Sequence, residues 1–357
     1  MENTMAEKFN KGDVSEGILA AAITARFVSK TKSVNQGDVL AIIGKLKSPS
    51  GGAKGLTTLT KFPSPNLKKG VIDTVVCKVN LAAVNMKAFL NKNIYKDKDV
   101  AKLVAASVQY ANGKYVREWA DMMYTNGQKN IIEVNSEGLL DQSGTKVDLR
   151  VIIDGTRSGI GISLKAGDVK QFGQVGGGTI ASMHEFFGSL GVKFTSADVK
   201  TFDAHIAKKA PAKALVSAYK SATGQLQNII RKDPNQFKKN LAAFMRFHAT
   251  RNEPNVALVQ LNRGQATVYM FEQLRGKLKG VPVRVEYRDG TTNVIPGAKI
   301  PQISIYGGED DTSSNLLLLL RVKLEGNRIN SKGKRMGLTI RNYVEKGALT
   351  TQLVSDH

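Results

Sequence analysis

The sequence predicts an α/β protein with a central mixed sheet flanked by helices, helical insertions and a β-rich C-terminal region. Three observations point there. Runs of apolar and β-branched residues with strand-like patterning recur at residues 131–135, 146–153, 160–165, 256–261 and 266–271. Helix-patterned segments alternate with them, at residues 14–30, 81–126, 179–190 and 197–250. Hydrophobic residues make up 41% of the 357, enough for a sizeable core, and the length fits two domains or one core with large insertions.

Along the chain, residues 14–30 read as a helix, capped by Asp13 or Ser15, with Ile18, Leu19, Ala22, Ile23 and Phe27 on its apolar face. Residues 35–78 are rich in Lys, Ser, Gly and Pro. Their tract Ser48-Pro-Ser-Gly-Gly-Ala-Lys-Gly55 reads as a flexible loop between short strands. Residues 81–126 read as mostly helical, with Asp99 ahead of an apolar run. A glycine-rich passage at 173–178 leads to the helix at 179–190. Two or three basic helices follow at 197–250, and from Val281 the chain alternates like antiparallel strands. Leu316 to Leu320 reads as a strand buried on both faces.

Composition narrows the function. The chain has 52 Lys+Arg against 30 Asp+Glu, a formal net charge of +22, which favours a polyanionic partner. The excess is uneven. Residues 41–80 hold seven Lys and one Asp, and residues 201–250 hold nine Lys+Arg and two Asp, whereas residues 126–195 hold seven of each sign. A neutral, acid-containing centre between basic segments suits a cation site beside a phosphate backbone. Cys77 is the single cysteine, so an intramolecular disulfide and a cysteine-built zinc site are excluded. The N-terminus has no basic-then-apolar leader and no apolar run could cross a bilayer, so a cytoplasmic, non-secreted protein with no membrane partner is expected. HExxH, GxSxG, GxGxxG and GxxxxGK[ST] are all missing. His184 beside Glu185 invites a general-base reading, but neighbours on a helix point about 100° apart, and a core or surface histidine is the better account.

The hairpin of 146–153 and 160–165 carries the functional argument. Val147, Leu149 and Val151 share one strand face, and Asp148 and Arg150 the other. If Ile153 pairs with Ile160, Asp148 lies opposite Lys165 and Arg150 opposite Ser163, so an acid and a lysine meet on one face. A surface salt bridge would look the same. The context is a helix with Glu16 before, a strand with Glu133 ahead of the hairpin, and a Gln- and Gly-rich segment after it.

This order of parts resembles the PD-(D/E)xK nuclease superfamily, with its restriction-endonuclease-like fold. Asp148 stands for the acid of the second core strand, with Val147 in place of the proline. Ser163-Leu164-Lys165 stands for (D/E)xK in a Ser-x-Lys variant, as in some type II restriction enzymes that take the missing carboxylate from the next helix. The resemblance implies Asp148, Lys165, Glu185 and Glu16 as catalytic residues. It implies Asp148, Glu185 and the main-chain carbonyl of Leu164 as ligands of Mg²⁺ or Mn²⁺. Ser163, Gln171 and Gln174 would support them. On this reading residues 1–275 form a nuclease-like core with a basic loop at 35–78 and helical insertions at 81–126 and 197–250, and residues 276–357 a β-rich C-terminal region.

The function so implied is a Mg²⁺-dependent DNA endonuclease hydrolysing phosphodiester bonds, of restriction, phage recombination or packaging, or repair type. DNA is the expected partner, RNA the alternative, and homodimerisation is left open. Lys208, Lys209, Arg231, Lys232, Lys238, Lys239, Arg328, Lys332, Lys334 and Arg335 are the expected phosphate contacts. Two competitors stand beside it. One is a non-catalytic nucleic-acid-binding protein with a degenerate nuclease fold, which Ser163 favours. The other is a basic structural protein of a nucleoprotein particle, for which charge alone suffices.

Overall fold

The computed structural model describes residues 9–29, 33–52, 55–63, 74–118, 131–136, 147–153, 156–271, 283–291, 299–307, 316–325, 328–329, 335–336, 339–347 and 354–355. The chain forms two compact units. Unit 1 comprises Met1–Val169, Thr250–Glu272 and Val354–His357, and unit 2 comprises Lys170–Ala249 and Gln273–Leu353. The division therefore differs from the expected 275/276 boundary. Strands Thr156–Ala166 and Val256–Asn262 are parallel neighbours in unit 1. A parallel pair needs a crossover, and here the crossover takes the chain through the first segment of unit 2.

Unit 1 is built on a nine-stranded mixed sheet. Its order is Ser50–Gly52, Gly55–Pro63, Thr74–Leu81, Ile131–Ser136, Leu149–Ile153, Thr156–Ala166, Val256–Asn262, Gln265–Tyr269 and Val354–Ser355. The pairs Thr74–Leu81 with Ile131–Ser136 and Thr156–Ala166 with Val256–Asn262 are parallel, and the remaining neighbours antiparallel. The expected mixed sheet with flanking helices is present. The expected basic loop at 35–78 is not a loop. A capping box of Asn35 and Asp38 starts the helix Gln36–Gly44, and the antiparallel strands Gly55–Pro63 and Thr74–Leu81 follow.

Helix α1 (Lys11–Val28) is the centre of unit 1. It begins three residues before the expected start, because Asn10 and not Asp13 or Ser15 is the cap: the Asn10 side chain accepts from the Gly12 amide at 2.9 Å. Asp13 in the first turn and Arg26 in the last complement the helix dipole. From Val14 to Phe27 nearly every side chain is buried, as a helix apolar on all sides requires. One side meets strands Thr74–Leu81, Ile131–Ser136 and Thr156–Ala166. Other contacts go to α2 (Gln36–Gly44), α3 (Ala83–Leu90) and α4 (Lys98–Asn112). Helices α3 and α4 fall in the segment expected to be helical, and residues 119–126 of that segment lie outside the described residues.

Unit 2 joins helices α5 (Ile180–Gly188), α6 (Ser196–Ala207), α7 (Pro211–Lys232) and α8 (Pro234–Thr250) to a five-stranded antiparallel sheet. The sheet order is Val283–Thr291, Lys299–Gly307, Leu316–Glu325, Thr339–Lys346 and Gln171–Gly176. The glycines at 173 and 176 thus belong to an edge strand, where the sequence suggested a connector. Helix α7 packs on the first two strands, and the Tyr219 hydroxyl donates to Asn342 Oδ1 at 3.0 Å inside the unit. Leu318, Leu320, Val322 and Leu324 are buried on one face, whereas Leu316, Leu319, Arg321 and Lys323 are only half-buried, so the strand is buried mainly on one face and not on both as expected; Leu317 is the extra residue at a register shift. Among the described residues no helix is long and apolar enough to cross a membrane.

Gly17 tests the packing of α1. A Cβ at this position would stand 2.8 Å from the Phe89 ring of α3, so any side chain must push the two helices apart. Gly17→Val should lower unfolding free energy by about 1–3 kcal/mol, read from the urea midpoint. An unchanged midpoint would contradict the close α1–α3 contact.

Candidate active site

The sheet brings Asp148 and Lys165 together by a route different from the expected one. The hairpin register is Leu149↔Ile162, Arg150↔Gly161 and Val151↔Ile160, two residues from the expected pairing. A shift of two keeps each side chain on its face, whereas a shift of one would invert them. A local irregularity acts in addition. The Asp148 amide donates to the Ile162 carbonyl at 2.8 Å although Leu149 is the Cα partner of Ile162. Two consecutive residues therefore oppose one, as in a β-bulge, a feature that re-aims side chains. Val147 is turned to the other side, where its methyls would lie 2.7 Å from a Cβ at Gly161.

Asp148 is thereby directed at the end of the next strand. Its Oδ2 accepts from the Leu164 amide at 2.6 Å and lies 3.8 Å from Lys165 Nζ. Lys165 Nζ donates to the Leu164 carbonyl at 2.9 Å and to Ser163 Oγ at a long 3.5 Å. The Leu164 carbonyl, expected as a metal ligand, thus faces the lysine head. Ser163 is 1% exposed, and Arg150 on the same strand face is buried and paired to Glu253 at 3.0 Å. That face is enclosed, where the sequence reading had a charged face opposite an apolar one.

Helix α1 supplies the acids. Glu16 Oε2 accepts from the Ser136 hydroxyl at 3.2 Å, across from strand Ile131–Ser136. One turn earlier, Asp13 accepts from Asn85 Nδ2 at 2.6 Å and from Asn10 Nδ2 at 2.8 Å. Burial pushes the Glu16 carboxyl up to about 9, and the charges of Asp148 and Asp13 add to the effect against the smaller pull of Ser136 and Lys165. Burial also raises Asp13, with Asp148 second and the Asn85 amide opposing. Among the described residues, three carboxylates therefore sense one another beside the ammonium group of Lys165. Asp13, Glu16, Leu164 and Lys165 line a cavity of about 600 Å³, with Lys11, Lys102 and Arg263 among the other walls.

Of the expected catalytic set, Asp148, Lys165 and Glu16 belong to unit 1, where Asp148 lies beside Lys165 and acts electrostatically on Glu16. Glu185 is an exposed side chain on α5 of unit 2. The strand of Lys165 is followed by a strand of the unit 2 sheet and only then by the expected helix. Gln171 and Gln174 also belong to unit 2, where Gln171 Nε2 donates to Gln174 Oε1 at 3.0 Å. Lys208, Lys209, Arg231, Lys232 and Lys239 are exposed and Lys238 half-buried, all on or beside α6 to α8. Arg328 and Arg335 fall in a short antiparallel pair of strands, and Lys332 and Lys334 lie outside the described residues. His184 rests edge-on against Phe194 in unit 2.

Asp13 is the residue the sequence reading treated only as a cap. Its spacing to Glu16 held the signal, since residues three apart share a helix face. Among the described residues no group of three or more His, Cys, Asp or Glu side chains converges on one point as a ready metal cage. The chain has no significant match among protein-family models, curated proteins or solved structures.

The raised Glu16 carboxyl makes folding proton-linked. The folded chain keeps this proton to about pH 9, while an unfolded chain releases it near the ordinary 4.5. Stability is therefore full below about pH 4.5 and falls as pH rises toward 9, by at most about 1.4 kcal/mol per pH unit for one proton. Urea unfolding across that window in EDTA should show the decline, and Glu16→Gln should flatten it. A wild-type profile as flat as that of Glu16→Gln would contradict the assignment.

Proposed function

We propose that this chain is a divalent-cation-dependent endonuclease of the PD-(D/E)xK type, acting on the phosphodiester bonds of DNA. The observation that carries the reading is the grouping of Asp148 and Lys165 on adjoining strands with Glu16 on the helix packed against the same sheet. Charge supports it further. Among the described residues, Asp13, Glu16 and Asp148 outnumber the ammonium group of Lys165 that acts on them, and such an excess calls for protons or for a cation.

The donor set suits a hard cation. Glu16 and Asp148 offer carboxylate oxygens and Leu164 a carbonyl, and Mg²⁺ takes oxygen ligands while keeping several waters, so one or two carboxylates suffice. The bound ion would make water more acidic and polarise the scissile phosphate. Lys165 is held by Asp148, the Leu164 carbonyl and Ser163. From there its ammonium can orient the attacking water, screen the phosphate and donate a proton. The water gives up a proton to solvent as its oxygen bonds to phosphorus, the phosphorus–oxygen ester bond breaks, and the leaving oxygen takes a proton from Lys165, which solvent then replaces. Asp13 faces no ligand duty in this scheme; its bonds to Asn85 and Asn10 fix the first turn of α1 and so the direction of Glu16.

A second reading, nucleic-acid binding without cleavage, draws on one observation. Ser163 fills the place of the motif carboxylate and is almost wholly buried, which leaves one acid fewer than the common motif provides.

Incubation with supercoiled plasmid and Mg²⁺ separates the two. The full chain should nick or cut the plasmid, EDTA should stop it, and Asp148→Ala and Lys165→Ala should lower the rate about 10²- to 10⁴-fold while retaining DNA binding. Cleavage at the wild-type rate by both variants would refute the catalytic assignment. Binding with no metal-dependent cleavage under any condition would favour the second reading.

A further inference from the structure

Among the described residues, helices pack on one face of the five-stranded sheet of unit 2. Helix α7 packs on the side of Val285, Tyr287, Ile303 and Ile305. Paired residues in a sheet share a face, so the register assigns the opposite side. One row across all five strands reads Arg288, Gln302, Arg321, Tyr343 and Gln174. At the spacing of neighbouring strands it spans about 19 Å. Arg284, Tyr306, Lys323 and Arg341 lie on the same face. Among the described residues no helix is packed on this side.

Among the described residues the face carries the cations Arg284, Arg288, Arg321, Lys323 and Arg341 and the carboxylates of Glu286 and Glu345. Its cations are ordered by their neighbours. The Arg284 guanidinium lies 4.9 Å above the Tyr306 ring and that of Arg288 5.7 Å from it. Arg321 and Lys323 both lie 5.9 Å from the Tyr343 ring. Glu286 holds Arg284 at 3.2 Å and Arg288 at 3.0 Å. Guanidinium groups fixed in this way lose less freedom on meeting a phosphate than lysines on flexible stems. That distinguishes this face from the exposed lysines of α6 to α8, which are more numerous.

We propose that this face docks double-stranded DNA through its phosphate backbone, with Arg284 and Arg288 as leading contacts. The identity of the polyanion rests on the nuclease reading above; the placement of the surface does not. A single strand would be held by stacking bases on open aromatic rings. Tyr306 and Tyr343 are only 7% and 4% exposed and lie beneath cationic heads, so they offer no such platform. Fixed guanidinium groups interleaved with glutamines suit the edge of a duplex, where Arg and Gln reach phosphates and base edges.

The test is fluorescence anisotropy of the full chain with a short mixed-sequence DNA duplex in EDTA, over a series of salt concentrations. The double variant Arg284→Ala, Arg288→Ala should bind at least tenfold more weakly at moderate salt. Its slope of log affinity against log salt should fall by about two, one for each lost phosphate contact. Both side chains are about half exposed (48% and 59%), so the variant should keep the wild-type melting temperature. Lys213→Ala with Lys220→Ala, on α7, should leave affinity within about twofold. Wild-type affinity in the arginine variant, loss confined to the α7 variant, or duplex RNA binding as tightly as duplex DNA would each overturn the proposal. If the chain binds DNA through these arginines yet never cuts it, the docking surface stands and the nuclease reading alone fails. If the arginine variant binds and cuts like the wild type, the surface alone fails.

Discussion

Among the described residues, Asp13, Glu16 and Asp148 are held near one another and beside Lys165, and much of unit 1 is arranged to keep them there. Charges withdrawn from water interact strongly and are costly unless neutralised. The chain has two internal answers. One is Lys165, placed 3.8 Å from Asp148. The other is the proton that Glu16 retains when burial and its acidic neighbours raise it. A divalent cation would answer the same need by displacing that proton. On the proposed reading this is what makes the cluster a binding site, where a surface ion pair would be indifferent to what surrounds it.

Rigid packing is what makes the arrangement persist. Helix α1 is buried almost throughout, and Gly17, next to Glu16, lets the Phe89 ring lie against the helix backbone. The turn carrying Asp13 and Glu16 is therefore fixed to the sheet before any ligand arrives. On the sheet side, the irregular pairing at Asp148 directs its carboxylate to the Leu164 amide and Lys165, and the hairpin register fixes where Lys165 ends. Pre-positioned groups of this kind avoid the reorganisation that catalysis would otherwise require.

Part of this was legible in the sequence because it depends on local patterning. The branched runs at 131–135 and 160–165 encode strands whatever surrounds them, and the small and apolar residues after Asp13 encode a buried helix. Asp148 meets Lys165 despite a register error of two because the irregular pairing before Leu149 redirects its carboxylate to the end of the next strand, which strict alternation does not report. What the sequence concealed are events at a distance. Gln171 and Glu185 follow Lys165 closely, yet the chain leaves the first sheet there and pairs Gln171–Gly176 with Thr339–Lys346, more than 160 residues on. No local periodicity reports such a partner. The lysines of 35–78 suggested a loop because composition outweighed the alternation of Gly55–Pro63, whose pairing with Thr74–Leu81 fixes it as a strand.

Anomalous X-ray scattering from crystals of the full chain grown with Mn²⁺ measures the central claim most directly. The account predicts a Mn²⁺ peak with oxygens of both Glu16 and Asp148 in its coordination sphere, at roughly 2–2.3 Å as for small hard cations. A peak bound to other residues, or these two carboxylates metal-free at saturating Mn²⁺, would contradict it.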